Sequence, residues 1–174
     1  PILRSRYIFT PVGVDGSDTA AHAARVAAEL ARKLGGVLHV ITACDDEGVV
    51  TVGVGSVLGG RPQDLKFKGE ITTVEIGEGT TIREYATINR GTSESFKTSV
   101  GKGCFLMSYV HLAHDCHVGD GVIISNGTQL AGHVKIDDRA IISGLCAVHQ
   151  FAKIGRHAFV GGMSRVAKDI PPYV

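Results

Sequence analysis

An aliphatic residue recurs at every sixth position through most of this chain. A six-residue period matches neither the 3.6-residue repeat of an amphipathic helix nor the two-residue alternation of a simple strand. It is typical of a parallel β-helix, in which three hexads form one triangular coil of roughly 18 residues. The repeated positions are Ile76, Ile82, Ile88 and, after one skipped position, Val100, Leu106, Leu112, Val118, Ile124, Leu130, Ile136, Ile142, Val148, Ile154, Val160 and Val166.

A second inward position lies four residues after each aliphatic residue and is small or β-branched, as at Ala86, Val110 and Thr128. It stands two places before the next aliphatic residue, and strand residues two apart face the same side. The three intervening residues form a corner. Glycine often opens that corner, and we expect it there for its backbone freedom. The glycines are Gly77, Gly101, Gly119, Gly155 and Gly161.

Composition excludes several classes of protein. The 174 residues carry a net charge of +1, which favours neither nucleic acid nor an anionic membrane as a partner. No apolar run approaches the ~20 residues of a membrane span, and the first residues lack a secretory pattern. Three of the four cysteines (Cys104, Cys116, Cys146) fall on the small inward position, so we expect buried thiols rather than metal ligands or disulfides, and the same for Cys44. A reducing cytoplasm and no cofactor are the corresponding predictions.

The chain changes character near residue 46. Upstream, a strand, an Ala-rich helical stretch from Thr19 to Leu34 and a second strand form a βαβ unit. Pro11-Val-Gly-Val-Asp-Gly-Ser17 and Glu29-Leu-Ala-Arg-Lys-Leu-Gly35 resemble the opening of the universal stress protein family. That resemblance implies a nucleotide contact at Asp15, but the family's later glycine-rich loop is missing, so a structural cap is favoured. The predicted domains are therefore 1–46 and 47–174, and the six-residue repeat resumes weakly at Val52 and Leu58.

One corner of the predicted solenoid collects polar residues. Two hexads are expanded, over residues 60–70 and 89–99, and both occupy the third hexad of their coil. His114, His133 and His149 fall in the same third hexad of successive coils, with His111 on the adjoining strand. Because stacked coils lie about 4.8 Å apart, we expect these side chains to lie together on the outside. His117 and His157 fall elsewhere around the coil and are interpreted as surface residues.

Such a corner suits removal of a proton from an alcohol. Imidazole titrates near neutral pH and serves as a general base with little tuning. Asp115 directly follows His114 and could orient its ring, while the Gly132 amide is free to face an oxyanion. No Ser or Cys is paired with a base, so direct attack by a bound hydroxyl is favoured over a covalent intermediate.

Residues from about 57 to 174 resemble the acyl-carrier-protein-dependent UDP-N-acetylglucosamine O-acyltransferases, which begin lipid A synthesis. The motifs that carry this resemblance are Gln63-Asp-Leu-Lys66, Asn89-Arg-Gly-Thr92, His111-Leu-Ala-His-Asp-Cys116, Leu130-Ala-Gly-His-Val134, Ala147-Val-His-Gln-Phe151, Val160-Gly-Gly162 and Ile170-Pro-Pro-Tyr-Val174.

The resemblance implies a left-handed β-helix and a cytoplasmic homotrimer with active sites between subunits. His114 would be the general base for the sugar 3-hydroxyl, Asp115 would support it, and the Gly132 amide would stabilise the thioester oxyanion. Gly162 would leave room for a long 3-hydroxyacyl chain, and Lys66 would reach a neighbouring subunit. The implied substrate-binding residues are Asp64, Lys66, His111, His133, His149, Gln150 and Gly162.

Two other functions are kept as alternatives. The resembled family has further coils where this chain has the βαβ unit, and it continues into a helical domain beyond the position of Val174. A chimera that keeps only a structural homotrimer, with impaired catalysis, fits that comparison. A zinc hydrase of the γ-carbonic-anhydrase kind shares the fold, but His111, His114 and His117 are spaced three apart where that family spaces two ligands five apart.

Overall fold

The computed structural model of the chain describes residues 50–174, which match one of the chain's two units, Val50–Val174. The predictions for the βαβ unit, Asp15 and Cys44 lie outside the described residues, and the boundary between 1–46 and 47–174 stays a prediction. Residues 50–174 contain no helix of the length and hydropathy that a membrane crossing requires.

Seventeen short strands, β1 to β17, form three parallel sheets. Sheet 1 contains β1 (Thr51–Val52), β4 (Thr81–Ile82), β7 (Phe105–Leu106), β10 (Ile123–Ile124), β13 (Ile141–Ile142) and β16 (Phe159–Val160). Sheet 2 contains β2 (Val57–Gly60), β5 (Thr87–Asn89), β8 (His111–Leu112), β11 (Gln129–Leu130), β14 (Ala147–Val148) and β17 (Arg165–Val166). Sheet 3 contains β3 (Thr73–Ile76), β6 (Lys97–Val100), β9 (His117–Val118), β12 (Lys135–Ile136) and β15 (Lys153–Ile154). The chain visits the sheets in rotation, as in a parallel β-helix, and the predicted left-handed parallel β-helix is confirmed.

The register confirms the predicted coil length. Ile123 pairs with Ile141 and Gln129 pairs with Ala147, a separation of 18 residues in both cases (141 − 123 and 147 − 129). Thr87 pairs instead with His111, 24 residues later (111 − 87), because the loop between β5 and β6 adds one hexad. Residues distant in sequence therefore become direct neighbours along the solenoid axis.

The recurring aliphatic side chains fill the interior. Ile82, Leu106, Ile124 and Ile142 are completely buried, and the small inward positions beside them are buried as well. The aliphatic position is less well buried at the start of the solenoid, where Val52 is 39% exposed. It lies in β1, the first strand of sheet 1, which pairs only with β4 within that sheet.

The corner glycines serve a different purpose from the predicted one. The left-handed backbone angle falls three residues after the aliphatic position, where non-glycine residues such as Asp115 (φ 58°) and His133 (φ 62°) often stand. Gly77 and Gly101 lie two residues earlier and do not have a positive φ. A Cβ on Gly77 would lie 2.5 Å from the carbonyl carbon of Gly101, so close stacking of coils excludes a side chain there.

The three cysteines within residues 50–174 are free and buried, as predicted. Each thiol lies near a backbone carbonyl of the same corner in the next coil, as Cys116 does with Ala131 at 3.2 Å. Burial raises the pKa of the Cys116 thiol to about 12. These thiols therefore behave as small core side chains and not as nucleophiles.

Both expanded loops leave the solenoid at one corner, between sheet 2 and sheet 3, as predicted. Loop 61–72 joins β2 to β3 and loop 90–96 joins β5 to β6. Phe67 links them, because its ring lies 5.5 Å from the guanidinium carbon of Arg61 and 5.1 Å from that of Arg90. We call the corner between sheets 2 and 3, together with loops 61–72 and 90–96, the site corner.

Adjacent isoleucines in β13 provide a test of the core. Ile142 is completely buried and Ile141 is 37% exposed. Ile142→Ala is expected to lower the free energy of unfolding by about 2–5 kcal/mol, because it removes buried methyl groups and leaves a cavity. Ile141→Ala is the matched control and should lower it much less. Urea unfolding of both variants measures the difference, and equal losses would contradict the inward register.

Candidate functional site

Asp115 is the centre of the site corner. Its side chain is buried, and its left-handed backbone directs it towards loop 90–96. One carboxylate oxygen accepts hydrogen bonds from the Thr92 amide at 2.9 Å and from the Ser95 hydroxyl, and the other accepts one from the Thr92 hydroxyl at 2.6 Å. The Asp115 amide in turn donates to the Thr98 hydroxyl at 2.9 Å. The expanded loop therefore encloses this carboxylate.

These hydrogen bonds keep Asp115 ionised. Burial by itself raises the pKa of the carboxyl, but the hydrogen bonds from Ser95, Thr92 and His114 outweigh it and lower the pKa to about 2. The group is therefore a permanent anion at neutral pH, and it can only accept hydrogen bonds.

His114 uses that anion through one ring nitrogen. Its Nδ1 lies 2.9 Å from Asp115 Oδ2, and since the carboxylate only accepts, we assign the proton to Nδ1. The Nε2 atom then carries the free lone pair that a general base needs. The ring rests on Gly132, where a Cβ would lie 2.5 Å from Cε1 and 2.7 Å from Nε2. Glycine at this position is what allows the imidazole to lie there.

His133 adjoins this pair from the next coil. Its amide donates to the His114 carbonyl at 3.0 Å, and the two rings meet edge to face with centroids 4.9 Å apart. Its Nδ1 lies 3.8 Å from Asp115 Oδ2, which is beyond hydrogen-bond distance. Phe151 stacks on His133 with ring centroids 4.5 Å apart. The side chains of Asp115, His133 and Phe151 thus follow one another at the same place in three successive coils.

The three predicted histidines share the site corner, but they do not form one row of rings. His149 is exposed, and its Nδ1 pairs with the Gln150 carbonyl at 3.0 Å. It comes one residue after its aliphatic position, whereas His114 comes two and His133 three residues after theirs. The ring that stacks on His133 therefore belongs to Phe151.

His111 lies on β8, where its Nδ1 is 2.7 Å from the Thr87 hydroxyl of the preceding coil. Burial lowers the pKa of His111, with a further contribution from nearby His114, so the ring is favoured in its neutral form. This polar side chain on the sheet 2 face of the corner is suited to hydrogen bonding with a ligand rather than to binding an anion.

The carbonyl and the N–H of Gly132 differ in their hydrogen bonding. Its carbonyl accepts a hydrogen bond from the Phe151 amide at 3.1 Å. Its own N–H donates none to any backbone group of residues 50–174. A free amide beside a candidate base is a suitable donor for an oxyanion.

The remaining predicted site residues lie farther from this centre. Asp64 and Lys66 belong to loop 61–72, where Asp64 Oδ1 accepts a hydrogen bond from the Lys66 amide at 2.9 Å and Lys66 is exposed. Gln150 is exposed on the site corner. Gly162 follows β16 and so lies at the corner between sheets 1 and 2. A Cβ there would be 3.5 Å from the Gly144 carbonyl, an ordinary contact.

Sequence reasoning assigned no role to four residues that complete the site: Thr92, Ser95, Thr98 and Phe151. Thr92 occupies a small inward position, which indicated only that it is buried. Ser95 stands in the expanded hexad, where the period no longer specifies direction. The available signal was the run Thr92-Ser-Glu-Ser95, which places hydroxyl groups opposite the corner that holds Asp115.

Within residues 50–174, one group of side chains could reach a metal ion. Ligand atoms of His114, Asp115 and His133 lie within 4.8 Å of one another. Asp115 Oδ2, however, already accepts hydrogen bonds from Thr92 and His114, and a metal would displace them. The trio considered for a zinc hydrase differs, because His117 lies on sheet 3 and pairs with the Ser99 hydroxyl at 2.9 Å.

Comparison with known proteins agrees with this fold and corner. The family model "Bacterial transferase hexapeptide (six repeats)" matches residues 97–132, which include His114, Asp115 and Gly132. Over these residues the chain is therefore similar to the hexapeptide-repeat bacterial transferases, and the described β-helix agrees with that repeat.

The relatives that match the chain carry the name of the family predicted from its motifs. The chain is 57% identical over 134 residues to the acyl-[acyl-carrier-protein]–UDP-N-acetylglucosamine O-acyltransferase of Rippkaea orientalis, a match that covers 74% of this chain and 49% of the relative. The enzyme of the same name from Sulfurihydrogenibium is 55% identical over 65 residues, 37% of this chain and 24% of the relative. The predicted resemblance is confirmed, and the chain spans at most about half the length of these relatives.

Solved structures give the same result. The UDP-N-acetylglucosamine acyltransferase from Bacteroides fragilis 9343 superposes with a TM-score of 0.70 at 48% identity, over 72% of this chain and 49% of that one. The Arabidopsis UDP-N-acetylglucosamine acyltransferase gives 0.68 at 42% identity, over 71% and 43%.

A second family model agrees with the other predicted resemblance. The universal stress protein family matches residues 11–88. This match extends beyond the predicted stretch and overlaps β1 to β5, which follow the register of the β-helix. Over residues 50–88 the described fold is therefore that of the hexapeptide repeat.

Proposed function

We propose that this chain transfers a 3-hydroxyacyl group from acyl carrier protein to the 3-hydroxyl of UDP-N-acetylglucosamine, the reaction that begins lipid A synthesis. The observation that carries the proposal is the buried His114–Asp115 pair, with its ring against Gly132. The names of the relatives supply the substrates, and the three buried free thiols are compatible with a cytoplasmic location.

The proposed chemistry needs no covalent intermediate. His114 Nε2 takes the proton from the sugar hydroxyl while that oxygen attacks the thioester carbonyl. Asp115 stabilises the resulting imidazolium, and the Gly132 amide donates to the oxyanion. The intermediate then breaks its carbon–sulfur bond, and the departing thiolate takes the proton from the imidazolium. His114 returns to its starting state with the ester formed.

The other predicted residues are proposed to bind the substrates. His111, His133, His149 and Gln150 line the site corner, where they would contact the sugar nucleotide or the acyl donor. Asp64 and Lys66 on loop 61–72 would serve a neighbouring subunit of a homotrimer. The space beside Gly162 would accommodate a long 3-hydroxyacyl chain delivered by acyl carrier protein.

The direct test measures product and oligomeric mass together. The purified 174-residue chain is incubated with 3-hydroxyacyl carrier protein and UDP-N-acetylglucosamine, and the acylated sugar nucleotide is detected by mass spectrometry. We expect product, with a raised KM if nucleotide contacts common to the ground and transition states are missing. Light scattering should give the mass of three chains. A monomeric chain without product would contradict the proposal.

A structural homotrimer with impaired catalysis is the second candidate. Its support is the second family match, to the universal stress protein family over residues 11–88. A trimer that forms no product at any substrate concentration would support it. Metal analysis separates a zinc hydrase, which requires about one zinc per chain and carbon dioxide hydration.

A further inference from the structure

Loop 90–96 provides most of the hydrogen bonds to Asp115. Thr92 donates to both carboxylate oxygens, through its amide to Oδ1 and through its hydroxyl to Oδ2. The Ser95 hydroxyl lies near both Asp115 Oδ1 and the Lys97 carbonyl. Its single proton serves the ionised oxygen best, because charged acceptors form stronger and shorter hydrogen bonds.

The donors match the capacity of the carboxylate. An ionised carboxylate offers about four lone-pair positions. Thr92 fills two, Ser95 fills one, and His114 Nδ1 fills the fourth. No position remains for a competing donor, so the carboxylate has one orientation and the histidine one tautomer.

A further potential hydrogen-bond donor to Asp115 lies nearby. His133 Nδ1 lies 3.8 Å from Asp115 Oδ2, the oxygen that the Thr92 hydroxyl and His114 share. If the Thr92 hydroxyl were absent, a small rotation of the carboxylate would let His133 donate to this oxygen. His114 would then lose its fixed partner, and either of its nitrogens could carry the proton.

We propose that Thr92 and Ser95 are positioning residues that hold His114 as the Nδ1–H tautomer by occupying the remaining acceptor positions of Asp115. Their effect on rate rests on the proposed acyl transfer, while their effect on the tautomer does not. Loop 90–96 is thus part of the active-site machinery although it contributes no group that meets the reacting atoms.

The test compares hydroxyl removal at the site with hydroxyl removal elsewhere. Thr92→Val keeps the shape and removes the donor, Ser95→Ala removes the second donor, and Thr92→Ser restores a hydroxyl. Thr128→Val is the matched control: Thr128 also occupies a small inward position and is completely buried, and its hydroxyl donates to the Ser143 carbonyl at 2.8 Å.

Two readouts are measured for each variant: kcat and KM for UDP-N-acetylglucosamine, and the ¹⁵N shifts of the His114 ring. We expect Thr92→Val to lower kcat about tenfold to a hundredfold with KM nearly unchanged, since a hydrogen bond to a charged group is lost. The ring signals should change from one tautomer to a mixture. Thr92→Ser should recover most of both, and Ser95→Ala combined with Thr92→Val should enlarge both effects.

Two results would overturn the proposal: a Thr92→Val protein that keeps the single Nδ1–H tautomer, or a Thr128→Val protein whose His114 tautomer changes as much. If no variant and no wild-type protein forms product, the proposed function fails. The ring shifts then still decide whether Thr92 and Ser95 set the tautomer.

Discussion

Replacing His114 with alanine is expected to lower the rate of acyl transfer by about 10²- to 10⁴-fold, the usual contribution of a general base. Nε2 is the group proposed to take the sugar proton, and water in the vacated space is a far weaker base. The rate is measured at saturating acyl carrier protein thioester, so that the loss appears in kcat. A variant with wild-type kcat would show that another group removes the proton.

The fold should survive this substitution. Asp115 loses one hydrogen bond but keeps those from the Thr92 amide, the Thr92 hydroxyl and Ser95, so the buried charge is still solvated by protein. Thermal unfolding and light scattering of the variant are expected to match the wild type closely. If the variant unfolded, the lost activity would say nothing about the base.

His117 supplies the matched control. It is three residues from His114, partly buried, and pairs with the Ser99 hydroxyl on the sheet 3 side of the corner. His117→Ala removes an imidazole of the same size next to the site without touching Asp115. We expect it to retain the wild-type rate, and equal losses in both variants would point to a general effect of removing a ring.

The regular part of this protein could be predicted because a solenoid repeats one local geometry. Once Ile124 is assigned inward, Leu106 and Ile142 follow, because all three occupy the same hexad position in successive coils. The period also placed both expanded loops and three histidines at one corner. Because the coils stack directly, residues 18 apart in the regular part of the chain become neighbours along the solenoid axis.

The contacts within the corner could not be predicted, for two physical reasons. First, left-handed residues such as Asp115 and His133 direct their side chains differently from their neighbours, so a shift of one residue separates His149 from the contacting rings. Second, loop 90–96 departs from the period, so the direction of Ser95 depends on tertiary contacts. Gly77 and Gly101 were misjudged because close stacking of the coils, rather than backbone angle, excludes a side chain there.

Replacing Gly132 with alanine is the second change with a large expected effect. The new Cβ would lie 2.5 Å from Cε1 and 2.7 Å from Nε2 of His114 where the ring now rests, well inside contact distance. The ring must move, and Nδ1 would leave its position 2.9 Å from Asp115. We expect kcat to fall by about 10²-fold, because a displacement of roughly 1 Å is sufficient for such a loss.

This substitution separates two possible roles of Gly132. Alanine keeps the backbone N–H, so the proposed oxyanion donor remains, and its backbone φ lies outside the left-handed region. Lost activity therefore reports the displaced imidazole. Gly161→Ala is the control, because a Cβ there meets only the Ser164 hydroxyl at 3.9 Å, and it should keep the wild-type rate. Full activity of Gly132→Ala would mean that the His114 ring is not held against Gly132 during the reaction, and the position proposed for the base would be wrong.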